Sequence, residues 1–357
     1  MAFSIDPAAL NTHATTLRDL AGTTSTAQSY LTSHLSLEFV DTSFLFARAG
    51  DAARDVRDAI STLTTALSSA LAASADELDA TATRSIELDD SLERELDGAY
   101  PDRVADGAPT VPSTGASIYV TPTPPEDALV APAGEPEMDL VSQILTTDWL
   151  SPSTVVAQIL DWIFDWNYLD EITQNFSGDW GKMFTVSSAV GHAGTYVGYQ
   201  SDNVSYAMSV DANSWTGNAA TAANAFFTEM ARVLRETGDQ ISAMGPEFET
   251  VARGMQDTAD SISGLFAQIM DAAIAAAVFY IAGTALVETV VGTVIGYLAG
   301  TGTLVYMAWL AGQAWEVLQS ALLFFDVLGA AVGALQQFLI DNPDLPTPIA
   351  YDNPEVP

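Results

Sequence analysis

The chain has 357 residues and a net charge of −35, with 11 Lys and Arg against 46 Asp and Glu. That charge repels phosphate, which excludes nucleic acid as a general partner and disfavours anionic lipid headgroups. With no cysteine, disulfides, thiolate metal sites and cysteine nucleophiles are excluded together. The length suggests about two domains, and 48 % apolar against 16 % charged residues is the composition of a folded chain rather than an acidic tail. Met1 to Leu10 has neither a basic stretch nor an apolar core, so no cleaved secretory signal is expected there.

Residues 1–98 read as a helical hairpin. Asp6-Pro7 is a helix start: an N-cap acceptor followed by the residue that tolerates a missing N–H in the first turn. Leu10, Leu17, Leu20, Ala27 and Leu31 continue one apolar stripe, which the stretch from Glu38 to Leu45 breaks. Phe46, Ala49, Ala53, Val56, Ile60, Leu63, Leu67 and Ala70 then alternate spacings of three and four. That is the seam of a helix packed along another helix, with its register continuing to Leu78 and the helix to about Leu96. Residues 99–137 hold eight prolines and read as a linker and domain boundary.

A second helical unit is expected over 138–263. Trp149, Trp162, Trp166 and Trp180 crowd its first part, where they pack a small helix, opened by Ser151-Pro152-Ser153, onto a larger bundle. A helix is expected from Lys182 to Asn213. It is followed by the turn Ser214-Trp215-Thr216-Gly217 and by a helix with the stripe Ala219, Ala223, Phe226, Met230 and Val233. After Gly245-Pro246 a further helix is expected, with Phe248, Val251, Met255, Thr258, Ile262, Leu265 and Ile269 on one face.

Residues 264–340 form an apolar Ala/Gly-rich block. No Lys or Arg follows Arg253, and the stretches 272–287, 289–315 and 327–340 are uncharged. The middle stretch is long enough to span a bilayer. Gly292, Gly296 and Gly300 form a small-residue repeat that permits close helix packing. A turn at Gly300-Thr301-Gly302 makes 264–299 and 303–340 two arms of a hairpin, with Glu288 and Glu316 at similar depth. If both were buried without a base they would be raised in pKa and act as pH-sensing carboxylates for insertion. In a soluble or oligomer-buried form, helices of this kind line an inner layer and Glu288 and Glu316 face solvent. Residues 341–357 are a Pro-rich tail.

No catalytic constellation is legible. His13, His34 and His192 are the only histidines, none at metal-ligand spacing from another, and there is neither a nucleophile elbow nor a phosphate loop. The acidic clusters at Asp89, Asp90, Glu93, Glu95, Asp97 and at Asp161, Asp165, Asp170, Glu171 read as solvated helix faces. No cofactor or metal is expected.

Ser214-Trp215-Thr216-Gly217-Asn218-Ala219-Ala220, with Phe226-Phe227 on the following helix, resembles the WXG superfamily of type VII (ESX) secretion substrates of actinobacteria. The opening Ile5-Asp6-Pro7-Ala8-Ala9-Leu10 and its hairpin resemble the PE-type or WXG-type hairpins that begin such proteins. The order of hairpin, Pro-rich linker and Trp-x-Gly bundle is similar to secreted PE/PPE fusions and to the delivery halves of type VII toxins. The resemblance implies an all-α fold of elongated helical bundles. It also implies a secreted or cell-surface protein, with membrane association as a further option, that acts as a binding or delivery scaffold and is not an enzyme. Its partners would be the type VII machinery and a second copy or a small WXG-family protein. Trp215 and Gly217 are then the residues of export recognition or bundle closure. The family's Tyr-x-x-x-Asp/Glu signal has its match at Tyr351 and Glu355, since Val104 follows Tyr100 at the usual place. The alternatives are a membrane-inserting or pore-forming effector built on 270–340, and a toxin-delivery half. A halophilic cytoplasmic protein also fits the acidity.

Overall fold

A computed structural model describes residues 4–37, 44–99, 122–145, 153–164, 168–211, 214–283 and 302–341. The fold is all-α, with long helices packed against one another. The first unit comprises β1 (Ser4–Ile5), α1 (Pro7–Gly22), α2 (Thr24–His34) and α3 (Phe44–Ala99). Then come the short helices α4 (Leu140–Ile144), α5 (Thr154–Ile163) and α6 (Tyr168–Phe176). The long helices α7 (Lys182–Asp211), α8 (Asn218–Gly283) and α9 (Thr303–Asp341) follow, with β2 (Trp215–Thr216) between α7 and α8.

α1 starts as its sequence dictates. The Asp6 side chain accepts from the Ala8 N–H at 2.9 Å, and Pro7 occupies the first turn. The expected stripe from Leu10 to Leu31 is buried throughout but lies on two helices. The break is at Thr23. Its N–H bonds back to the last carbonyls of α1, and its hydroxyl lies 2.8 Å from both the Leu20 carbonyl and the Tyr196 hydroxyl. α1 and α2 run antiparallel to α3. Arg18 reaches Asp76 and Asp79, Gln28 donates to Thr65, and Arg57 donates to Ser36. Every seam residue from Phe46 to Ala70 on α3 is buried, and burial continues through Leu71, Ala75 and Leu78.

The expected linker is partly docked. Residues 122–139 lie along α7 with one 3-10 turn over Pro125–Ala128: Asn203 Nδ2 donates to the Thr123 carbonyl and the Ala133 N–H to Ser188 Oγ, while the Met138 N–H donates to Asp179 Oδ1 just ahead of α7. A proline-rich segment has little backbone freedom to lose, and several of its polar groups find partners on α7 and on Asp179. The hairpin and the second bundle consequently share one hydrophobic core. Trp180 is buried at their junction. Its ring lies 5.3 Å from Phe46 of α3 and 6.1 Å from Phe325 of α9, and its Nε1 donates to the Phe176 carbonyl at 2.8 Å.

Two sequence expectations for α8 are corrected. Gly245-Pro246 does not separate two helices: α8 is one helix of 66 residues with Pro246 inside it. A proline in a helix interior costs about 3 kcal/mol. Ile241, Met244, Phe248 and Val251, on both sides of it, are buried on one face. Each contributes about 1.5–3 kcal/mol, so keeping the face continuous wins. The expected stripe Ala219, Ala223, Phe226, Met230, Val233 is also shifted. The fully buried ladder is Ala223, Phe227, Ala231 and Leu234, while Phe226, Met230 and Val233 flank it half-buried.

α7 and α8 cross at unusually close range. A Cβ on Gly194 would stand 2.6 Å from the Gly238 carbonyl oxygen, and one on Gly238 would stand 2.7 Å from that of Gly194. Backbone-to-backbone packing of this kind admits only glycine. α9 lies antiparallel to α8, with Tyr306 opposite Gln268 and Phe324 against Gly254. Its buried residues Leu304, Met307, Ala311, Ala314, Leu318, Ala321, Phe325, Leu328, Val332 and Leu335 form a ladder at three-four spacing, with Leu310 buried beside it. α9 packs on α8 in a register different from a tight hairpin of 264–299 on 303–340 turned at Gly300-Thr301-Gly302: Tyr306 meets Gln268, and Phe324 meets Gly254, which precedes the apolar block. Gly292, Gly296, Gly300 and Glu288 lie outside the described residues.

Candidate functional site

The two segments singled out by the sequence, Ile5-Asp6-Pro7 and Ser214-Trp215-Thr216-Gly217, meet at one end of the molecule. β1 pairs antiparallel with β2, Ser4 opposite Thr216 and Ile5 opposite Trp215. The Asp6 N–H then donates to the Ser214 carbonyl at 2.9 Å. Asp6 therefore closes the strand with its backbone and opens α1 with its carboxylate. On the other side Gly217 has φ +122, a conformation that favours glycine. Its carbonyl accepts from both the N–H and the hydroxyl of Thr221, which starts α8.

Trp215 is 3 % exposed, and its indole Nε1 has no hydrogen-bond partner among the described residues. Nearby on α8, the Phe226 and Phe227 rings stand edge to face at 5.1 Å, and the buried His13 ring of α1 lies 4.9 Å from Phe227. The site is a backbone bridge over the buried Trp215, with the His13, Phe226 and Phe227 rings clustered further along α1 and α8.

The other two histidines converge on a residue the sequence did not mark. Tyr30 of α2 lies 2.8 Å from His192 Nδ1 on α7, and its ring packs 4.7 Å from that of His34. Burial pushes the Tyr30 phenol up to about 12. One and two turns further along α7, Tyr196 and Gln200 continue this seam. Gln200 Nε2 donates to the Leu20 carbonyl, Thr23 Oγ1 and the Tyr196 hydroxyl. Burial also raises the Tyr196 phenol, against the lowering effect of its hydrogen bonds to Thr23 and Gln200. The seam at His192, Tyr196 and Gln200 fixes how the hairpin sits on α7. Its spacing of four is legible in the sequence, as is the Gly191, Gly194, Gly198 face beside it. The identity of the facing helix is not.

The remaining expected residues are dispersed. Glu316 is exposed on α9 and accepts from Gln313 at 3.1 Å, so the buried carboxylate that a pH-sensing role needs is absent from its place in this fold. Tyr351 and Glu355 lie outside the described residues, as do Trp149 and Trp166. Trp162 is half-exposed on α5. Asp161 and Asp170 are exposed, and Glu171 accepts from Asn175 of its own helix. Among the described residues no group of three or more His, Asp or Glu side chains could hold a metal ion. An open groove of about 310 Å³ runs between α3 and α9, with Asp51 and Asp55 on one wall and Phe325, Leu328 and Val332 on the other. No protein family, no curated protein and no solved structure matches the chain.

Proposed function

We propose that this chain is a type VII secretion substrate of the WXG and PE/PPE kind, acting as a non-enzymatic binding or delivery scaffold outside the cell. One observation carries the reading. The opening Ile5-Asp6-Pro7 and the Trp-x-Gly turn, which bear the resemblance separately, are joined by the backbone pairing of Ser4–Ile5 with Trp215–Thr216. A composite end of this kind gives an export machinery one rigid feature made from both halves of the chain. The buried Trp215 keeps that end closed, and Gly217 sets the angle at which α8 leaves it. The partners are the secretion machinery and a second copy or a small WXG-family protein.

The test is secretion in an actinobacterial host with its type VII ATPase intact or deleted. The chain should appear in the culture filtrate of the intact strain only. Gly217→Ala should retain helical content in vitro yet stay with the cells. Equal amounts in the filtrates of both strains would overturn the proposal.

A further inference from the structure

The groove between α3 and α9 continues beyond its first part. A second open groove of about 290 Å³ adjoins the one of about 310 Å³, and both are lined by Asp55 of α3 and Gln336 of α9. The two helices run parallel here. Arg48 pairs with Asp326 at one end and lies over the Phe325 ring, while Leu63 and Leu339 together line the other end. From Phe325 to Leu339 the channel follows α9 for about 21 Å.

Gly329 and Gly333, one turn apart and exposed, lie on its α9 side. Inside a helix glycine is less favourable than every residue but proline. Neither glycine has a positive φ, and a Cβ on either would meet nothing within 4 Å. Gly194, Gly238 and Gly254 differ, since backbone or a ring of the same chain packs directly on each of them. The packing of this one chain therefore makes no use of Gly329 and Gly333, whereas glycines four apart let the backbone of a further helix come close. The α3 side leaves one charge open. Arg54 holds Asp51 and Arg57 holds Asp58, each at 2.7 Å. Asp55, between them and common to both parts of the channel, has no partner among the described residues.

We infer that the α3–α9 channel is the docking groove for one helix of a partner protein, which lays small and apolar side chains over Gly329 and Gly333 and sets a single Arg or Lys against Asp55. Charge selects the occupant. The chain carries −35, so a basic partner is attracted and a second copy is repelled. Residues 342–357, which follow α9, hold Asp344, Asp352 and Glu355 and no base, so they do not complement Asp55 either. Both walls are helices whose backbone groups are bonded internally, which leaves no sheet edge for an extended strand and favours a helix laid in the groove. The inference rests on the groove alone and is independent of the export reading.

The test titrates the purified full chain into fluorescein-labelled, Ala-rich helical peptides of about 20 residues, read by anisotropy. Each carries Leu at three-four spacing and one Arg, Gln or Glu at the centre of that face. The Arg peptide should bind about tenfold more tightly than the Glu peptide. Asp55→Asn should weaken the Arg peptide about threefold and leave the Gln peptide unchanged. Gly333→Leu keeps the charge and places its side chain in open space, so it should preserve helicity and weaken every peptide by about tenfold or more. The inference is overturned if the Arg peptide does not bind, or if either variant binds it as well as the parent chain, which would leave only unspecific attraction to an acidic surface. It is also overturned if the free chain is a dimer that Gly333→Leu splits, which would assign the groove to a second copy. Binding seen only after deletion of residues 342–357 would assign it to the chain's own tail and overturn it equally. None of these outcomes bears on secretion.

Discussion

Helices α3 and α9 have the same inner surface and opposite outer ones. Both bury a ladder at alternating three and four spacing, Phe46 to Leu78 on one and Leu304 to Leu335 on the other. Behind its ladder α3 carries Asp51, Arg54, Asp55 and Arg57, whereas α9 carries Val305, Trp309, Leu323 and Val327. The ladder decides that a helix packs on another helix. The outer face differs in kind, charged on α3 and apolar yet exposed on α9.

The largest effect that sharpens this comparison comes from the ladders themselves. Leu67→Ala on α3 should cost about 2–5 kcal/mol in urea unfolding followed by helical dichroism. Leu318→Ala on α9 should cost as much if the arm unfolds with the body. A second transition at lower urea would instead make the arm a separate unit. Next, Gly194→Ala should cost about 1–3 kcal/mol by forcing α7 from α8, with the Gly238 carbonyl 2.6 Å from the added carbon. Gly217→Ala should cost about 1–2 kcal/mol for a side chain held at positive φ, measurable as a shift in the same midpoint. The smallest effect is expected on the outer face. Leu323 is 62 % exposed, and Leu323→Gln should change stability by no more than about 0.5 kcal/mol.

The seam between the hairpin and α7 should show in alkali. The Tyr30 phenol is raised from 10.0 to about 12 in the folded chain. Below pH 10 the phenol is protonated folded and unfolded, and the full stabilisation is present. Between pH 10 and 12 the unfolded chain loses the proton first, so stability falls. Tyr30→Phe should flatten that fall in urea titrations across this window. A fall of unchanged size would assign it to other groups.

The helices were legible because their residues repeat. The ladder of α3 needs one face buried every three to four positions, and the sequence writes this out from Phe46 to Ala70. The start of α1 was legible for a local reason, since Asp6 and Pro7 satisfy the first turn by themselves. Pro246 misled because its cost is local, while the burial that overrides it depends on α7. Phe226 was read one position off its neighbour Phe227 because two adjacent aromatics fit the stripe almost equally well, and only α1, with His13, selects between them.

For the candidate site, the sequence marked both halves and could not join them. Ile5 and Trp215 are 210 positions apart, and no periodicity encodes a two-residue backbone bridge. The pairing of His192 with Tyr30 and the contact of Gly194 with Gly238 are of the same kind. By itself, then, the sequence determined helix type, helix faces, the excess of acid and the uncharged C-terminal block, because each follows from neighbours within a few turns. Only the tertiary structure decided which faces meet, which proline is absorbed and which apolar face is left uncovered. Those outcomes depend on competition among surfaces that are distant along the chain.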